Sequence, residues 1–153
     1  MSKTSKEIAR HLREAHFGNN WCDNFLKQEL SPVTWQQALA KPIPDANSIA
    51  ELVFHLNFYL DYVHRNIKND FLQFEQEETF KMPPIHSEAD WQQLLQKTWD
   101  DAEAFAKTIE KIPANQLYVV IPPRNNSFYK NLHGIVEHTH YHLGQIILLK
   151  KLL

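Results

Sequence analysis

Residues 132–150 read Leu132-His-Gly-Ile-Val-Glu-His-Thr-His-Tyr-His-Leu-Gly-Gln-Ile-Ile-Leu-Leu-Lys150. At 100° per residue, Leu132, Ile135, Val136, Thr139, Leu143, Ile146 and Ile147 fall on one face, the apolar stripe of a helix packed on a core. The pattern predicts a helix from about Ser127 to Leu152. His138 and His142 stand together on one flank of that stripe, with Gln145 and Leu149. Four of the chain's nine histidines lie between His133 and His142.

Three more long runs with the helical period precede this one. The first, from about Thr4 to Phe17, stops at Gly18-Asn19-Asn20, where Gly or Asn can take the left-handed conformation that closes a helix. Ser48, with Glu51 three residues on, forms a capping box ahead of a run reaching about Asn69. Ser87 and Asp90 repeat that spacing before a helix from Glu88 to about Lys111, which Pro113 ends. Shorter pieces, about Trp21 to Leu30 and the capping-box stretch Thr34-Trp-Gln-Gln37, read as connector helices. Leu117 to Ile121 reads as an extended connection, too short for a sheet. The fold class is therefore all-α, a four-helix bundle whose helices bury their stripes most simply in antiparallel packing. The first two connections between long helices exceed ordinary loop lengths, so at least one is expected to cross the bundle end and carry the short helices.

Composition agrees and narrows the function. Three Gly and long Ala, Leu, Gln, Glu and Lys runs favour helix, with eight Pro as punctuation. At 153 residues the expectation is a single domain spanning 1–153. Eighteen acidic against sixteen basic side chains give a net charge of −2. With no basic block, neither nucleic acid nor an anionic membrane surface is expected as a partner. The N-terminal stretch has no apolar leader pattern and no run is long enough to span a bilayer, so a cytoplasmic location is expected. The lone cysteine, Cys22, is expected as a small buried hydrophobe in the turn after the first helix, and Trp21 and Trp35 as plugs at the ends of the core. The Arg124-Asn-Asn126 loop is a candidate for a pocket mouth.

The histidine pattern carries the chemistry. His138 and His142, at i and i+4, lie one turn apart on one face, the arrangement by which a helix supplies two nitrogens to one metal ion. A third nitrogen from another helix would complete a three-ligand site with an open position. His55 lies off the stripe formed by Ile49, Leu52, Val53, Leu56, Leu60 and Val63, on a flank with Glu51, Tyr59 and Tyr62, where it faces a neighbouring helix. A flank histidine is equally at home as a hydrogen-bonded packing residue. His133, Glu137 and His140, on the opposite flank of the last helix, form a rival group, read as solvated or subunit-facing surface. A ferritin-like di-iron centre is rejected because Glu137 with His140 is the only Glu-x-x-His motif. No His-Glu-x-x-His motif and no phosphate-cradling Gly-rich loop occur.

The 132–150 segment, with Ser48-Ile-Ala-Glu-Leu-Val-Phe-His-Leu56 and the Gly18-Asn-Asn-Trp21 turn, resembles the DinB/YfiT-like superfamily of metal-binding four-helix bundles. The ending His-x-x-Tyr-His-x-Gly-Gln with a downstream Lys is the most specific part of the likeness, which covers nearly the whole chain. The resemblance implies an up-down-down-up topology and a metal, zinc or nickel, held by His55, His138 and His142. It also implies a homodimer and, in some members, a transferase in which a low-molecular-weight thiol is activated at the metal and attacks a small electrophile.

Those implications suit the residues. A metal-coordinated thiol is deprotonated at neutral pH without a dedicated protein base, and no catalytic residue is evident here. The expected function is thus metal-assisted, thiol-dependent transfer to a small-molecule substrate. The alternatives are a metal-dependent hydrolase, for which Glu51 is the one nearby candidate base, and a non-enzymatic metal- or ligand-binding bundle. Gly144, inside a helix, points to a close helix approach or room for a ligand, and Gln145 is placed to hydrogen-bond around the site.

Overall fold

The computed structural model describes residues 2–122 and 125–153. Each long helix begins where a side chain satisfies a free backbone N–H. Ser2 caps α1 (Lys3–Phe17), Ser48 caps α4 (Ile49–Ile67), Ser87 caps α5 (Glu88–Glu110) and Ser127 caps α6 (Phe128–Lys150). At Ser48 both halves of the capping box form: its hydroxyl accepts from the Glu51 amide at 3.2 Å, and Glu51 accepts from the Ser48 amide at 2.6 Å. The short helices α2 (Leu26–Leu30) and α3 (Trp35–Leu39) lie between α1 and α4, with Thr34 and Gln37 forming the capping box of α3.

Helix directions follow from specific contacts. Arg13 reaches Glu103 at 2.8 Å while Ser5, two turns earlier, donates to the carbonyl of Ile112, so α1 and α5 are antiparallel. Asn57 meets Thr98 and His64 meets Thr108, so α4 and α5 run parallel. His55 and Tyr59 meet His138 while Leu52 faces Gln145, so α4 and α6 are antiparallel. The bundle is therefore up-down-down-up, and α1 and α4 sit across its diagonal rather than side by side. The long connection from α1 to α4 lays α2 and α3 across one end. There Trp91, fully buried, donates its indole N–H to the Val33 carbonyl at 2.8 Å, and Lys150 pairs with Glu29.

The apolar core has two halves. One gathers Leu52, Val53, Leu56, Trp91, Leu143 and Ile146; the other gathers Ile8, Leu12, Leu60, Phe105, Leu132 and Ile135. Between them lies a layer of buried polar side chains, His55, Asn57, Thr98, Thr139 and His142. Burying such groups is costly unless each has a partner, and here the two hydroxyls donate to carbonyls one turn back in their own helices while Asn57 donates to Thr98.

Several expectations are corrected. Val120–Ile121 is not only an extended connection: it pairs antiparallel with Asn126–Ser127 as a two-residue ladder, held against α6 because the Phe128 and Tyr129 amides donate to Val119 and Leu117. Cys22 is exposed and Trp21 is 99% exposed. The reason is the turn after α1, where Asn19 and Asp23 adopt positive φ and the Asn20 side chain takes the inward position, bonding the Glu14 and Asn24 carbonyls. Gly18, at φ +119°, stands where a Cβ would come within 3.1 Å of the Phe25 ring. Trp35 does pack against the core, half-buried. Arg124 lies outside the described residues. No described helix is long and apolar enough to cross a membrane.

Candidate metal centre

His55, on the second turn of α4, is 3% exposed, and across the α4–α6 seam it meets His138 and His142. The His55 Nε2 is 3.2 Å from His138 Nε2, which is 2.9 Å from His142 Nε2. All three candidate ligand nitrogens lie within 4.8 Å of one another, and among the described residues no further His, Cys or carboxylate joins them.

The opposite edges of two rings decide what those nitrogens carry. The Thr79 hydroxyl donates its proton to the Gln76 carbonyl at 2.7 Å, so toward His55 Nδ1, at 2.9 Å, it is an acceptor. His55 is therefore protonated at Nδ1 and presents a lone pair at Nε2. His142 Nδ1–H likewise donates to Gln145 Oε1 at 2.6 Å, and the Gln145 amide nitrogen is turned toward the Tyr141 hydroxyl. Two lone pairs thus converge on His138 Nε2. Its one possible proton could serve only one of them, whereas a cation satisfies every nitrogen at once. Zinc–nitrogen bonds of 2.0–2.1 Å in a tetrahedron place ligand nitrogens about 3.3 Å apart, close to the two separations found here. The residues fit a divalent ion with three imidazole ligands.

Electrostatics keep two of the imidazoles, His55 and His142, neutral. Burial, reinforced by His142, drives the His55 pKa down to about 4, and burial also lowers His142 despite its bond to Gln145. Phe80 covers one face of His55, and Tyr59 meets both His55 and His138 edge-on. Neutral imidazole is the ligating form.

The remaining candidates fall elsewhere. Glu51 is held by its capping box and by Lys41 Nζ at 3.0 Å. Burial alone would raise its carboxyl, but the Ser48 amide and Lys41 together outweigh that and lower it. His133, Glu137 and His140 do not assemble: His133 packs on Tyr129 and His140 bonds the Val136 carbonyl. No close helix approach occurs at Gly144, where a Cβ would meet nothing within 4 Å. Thr79 and Phe80, on the 3-10 turn Gln76–Phe80, escape sequence reasoning because they lie in an irregular segment without periodicity.

The sequence profile of the DinB superfamily matches residues 21–146. The chain belongs to the DinB superfamily. Helix α1 precedes the matched region. A crystal structure of a conserved protein from Enterococcus faecalis aligns over 99% of this chain and 97% of its own, with a TM-score of 0.66 at 18% identity. That likeness is one of fold. None of the curated proteins matches the chain.

Proposed function

We propose that His55, His138 and His142 hold one divalent ion, zinc or nickel, per chain, and that this DinB-type protein is a thiol-dependent transferase acting on a small electrophile. The observation that carries the reading is the convergence of three Nε2 atoms, with the His55 and His142 rings oriented from behind by Thr79 and Gln145. Such backing fixes the tautomer and raises ligand basicity. A three-nitrogen set leaves a coordination position for substrate. When bound, the ion supplies Lewis acidity that lowers the pKa of a coordinated thiol.

The chain's own residues then orient and exclude. Phe80 and Tyr59 screen His55 from water on two sides, and two residues on from His55 Asn57 ties α4 to α5 by donating to Thr98. Nothing favours the hydrolase alternative, since its candidate base, Glu51, is committed to Ser48 and Lys41. A homodimer belongs to the same reading and is checked by sedimentation.

The deciding experiment is elemental mass spectrometry of tag-free protein beside a His138→Ala, His142→Ala double variant. Near-stoichiometric zinc or nickel that disappears in the variant is expected. No metal uptake, even after reconstitution, would overturn the reading. Metal-dependent conjugation of a model electrophile across a panel of thiols then tests the transfer, and no acceleration by any thiol would remove it.

A further inference from the structure

A cavity of about 300 Å³ lies between α4 and α6, beside the first turns of α6. Its volume is at the small end for ligand sites, the size of a metabolite. His138 forms part of its wall, and Tyr59 stands beside it, so the cavity adjoins the imidazole group directly. Its other polar walls are Lys130, Asn126 and Asn131. Among the described lining residues there is one cation and no carboxylate, and Lys130 joins none of the described ion pairs. Asn amides can donate to an anion without adding charge.

A second observation connects the two ends. Lys130, Gly134 and His138 follow one another at i, i+4 and i+8, so they line one face of α6. Glycine inside a helix disfavours it relative to alanine, and here no neighbour requires it: a Cβ at Gly134 would meet nothing within 4 Å. What the missing side chain leaves is an open path along bare backbone from the ammonium to the imidazole. Eight residues of helix make that path about 12 Å along the axis.

We propose that this cavity takes the anionic end of a small substrate, a carboxylate or phosphate paired with Lys130, whose chain crosses Gly134 to bring its reactive end beside His138. The inference rests on the metal reading only for what happens at the reactive end. It names a class: compact, elongated anions with a metal-seeking group at the far end.

The test uses full-length cobalt-loaded protein and two ligand series of graded length, ω-mercaptocarboxylates and the matching neutral ω-mercaptoalcohols, read by the thiolate-to-cobalt absorption. The acids are expected to bind about tenfold tighter than the alcohols at intermediate length, the scale of one charge-assisted hydrogen bond. That ratio should collapse in Lys130→Gln, survive in Lys130→Arg and shrink as salt rises. Gly134→Leu should lose the ratio while gaining thermal stability from its better helix propensity, which separates a blocked path from damage to the fold. Thiols that bind with no preference for the acid at any length would overturn the anchor and leave the metal reading standing. Without cobalt uptake the metal reading fails by itself, and the anchor is then read in metal-free protein with glutarate and inorganic phosphate. Shifts of the Asn131 and Gly134 amide resonances that vanish in Lys130→Gln sustain it, and their absence at millimolar ligand overturns it. Comparison of the two probes distinguishes carboxylate from phosphate.

Discussion

Phe80 lies flat on His55, the ring centroids 4.0 Å apart and the planes 6° from parallel. The stack closes one face of the imidazole to water, and exclusion of water is the largest reason the ring resists protonation. Phe80→Ala should therefore raise the His55 pKa of metal-free protein from about 4 toward its ordinary value of 6.5. Histidine C–H resonances followed through a pH titration would show it. An unchanged midpoint would mean that the α4–α6 seam, not Phe80, dries the ring.

Thr79 and Gln145 each orient a ring from its far edge, so removing either acceptor should loosen the metal without touching a ligand. Loss of such partners typically costs about 10- to 100-fold in metal affinity. Thr79→Val, nearly isosteric, and Gln145→Leu are each expected in that range by chelator competition. Thr79→Ser should recover most of the loss because it keeps the accepting oxygen. Full affinity in Thr79→Val would show that packing alone holds His55.

The helices were legible because their signals are local. Ser48 with Glu51, Ser87 with Asp90 and Thr34 with Gln37 lie within one turn and cap where the spacing predicts. The meeting of His138 with His142 follows from the same periodicity, and the flank position of His55 pointed it at a neighbouring helix. Thr79 was invisible because its contact with His55 spans 24 residues and sits in a turn that only tertiary packing defines. Hydrophobicity misplaced Trp21 and Cys22, because a polar side chain, Asn20, fills the inward position and two residues at positive φ turn the chain outward. The short ladder at Val120 depends on docking to α6, which no run of five residues encodes.

His16 offers a pH test away from the metal centre. It is 2% exposed, its Nδ1–H donates to the Leu12 carbonyl, and burial lowers its pKa to about 4. Above the unfolded value near 6.5 both states are neutral and the stability is complete. As pH falls from there toward 4, the unfolded chain takes up a proton that the folded chain refuses, and stability drops by up to about 3 kcal/mol. Urea midpoints of metal-free protein should therefore fall over that window. His16→Leu should make this limb shallower, the remainder belonging to His55 and His142, and an identical slope in the variant would assign the whole limb to those groups.

Glu51 separates the two enzymatic readings. Its carboxylate caps α4 at the Ser48 amide and pairs with half-exposed Lys41, and both contacts are structural. Glu51→Gln keeps an accepting oxygen for the cap but loses the charge at the helix N-terminus and the ion pair. A surface pair and a helix-end charge each contribute only a few tenths to about 1 kcal/mol, so the midpoint of unfolding should fall slightly. Metal content and any metal-dependent thiol conjugation should stay at the level of the parent chain. A general base behaves otherwise: its removal lowers turnover by about 100- to 10,000-fold and erases the acid limb of the pH profile. Activated-ester turnover that persists without thiols and collapses in Glu51→Gln, with folding intact, would restore the hydrolase reading over the transferase.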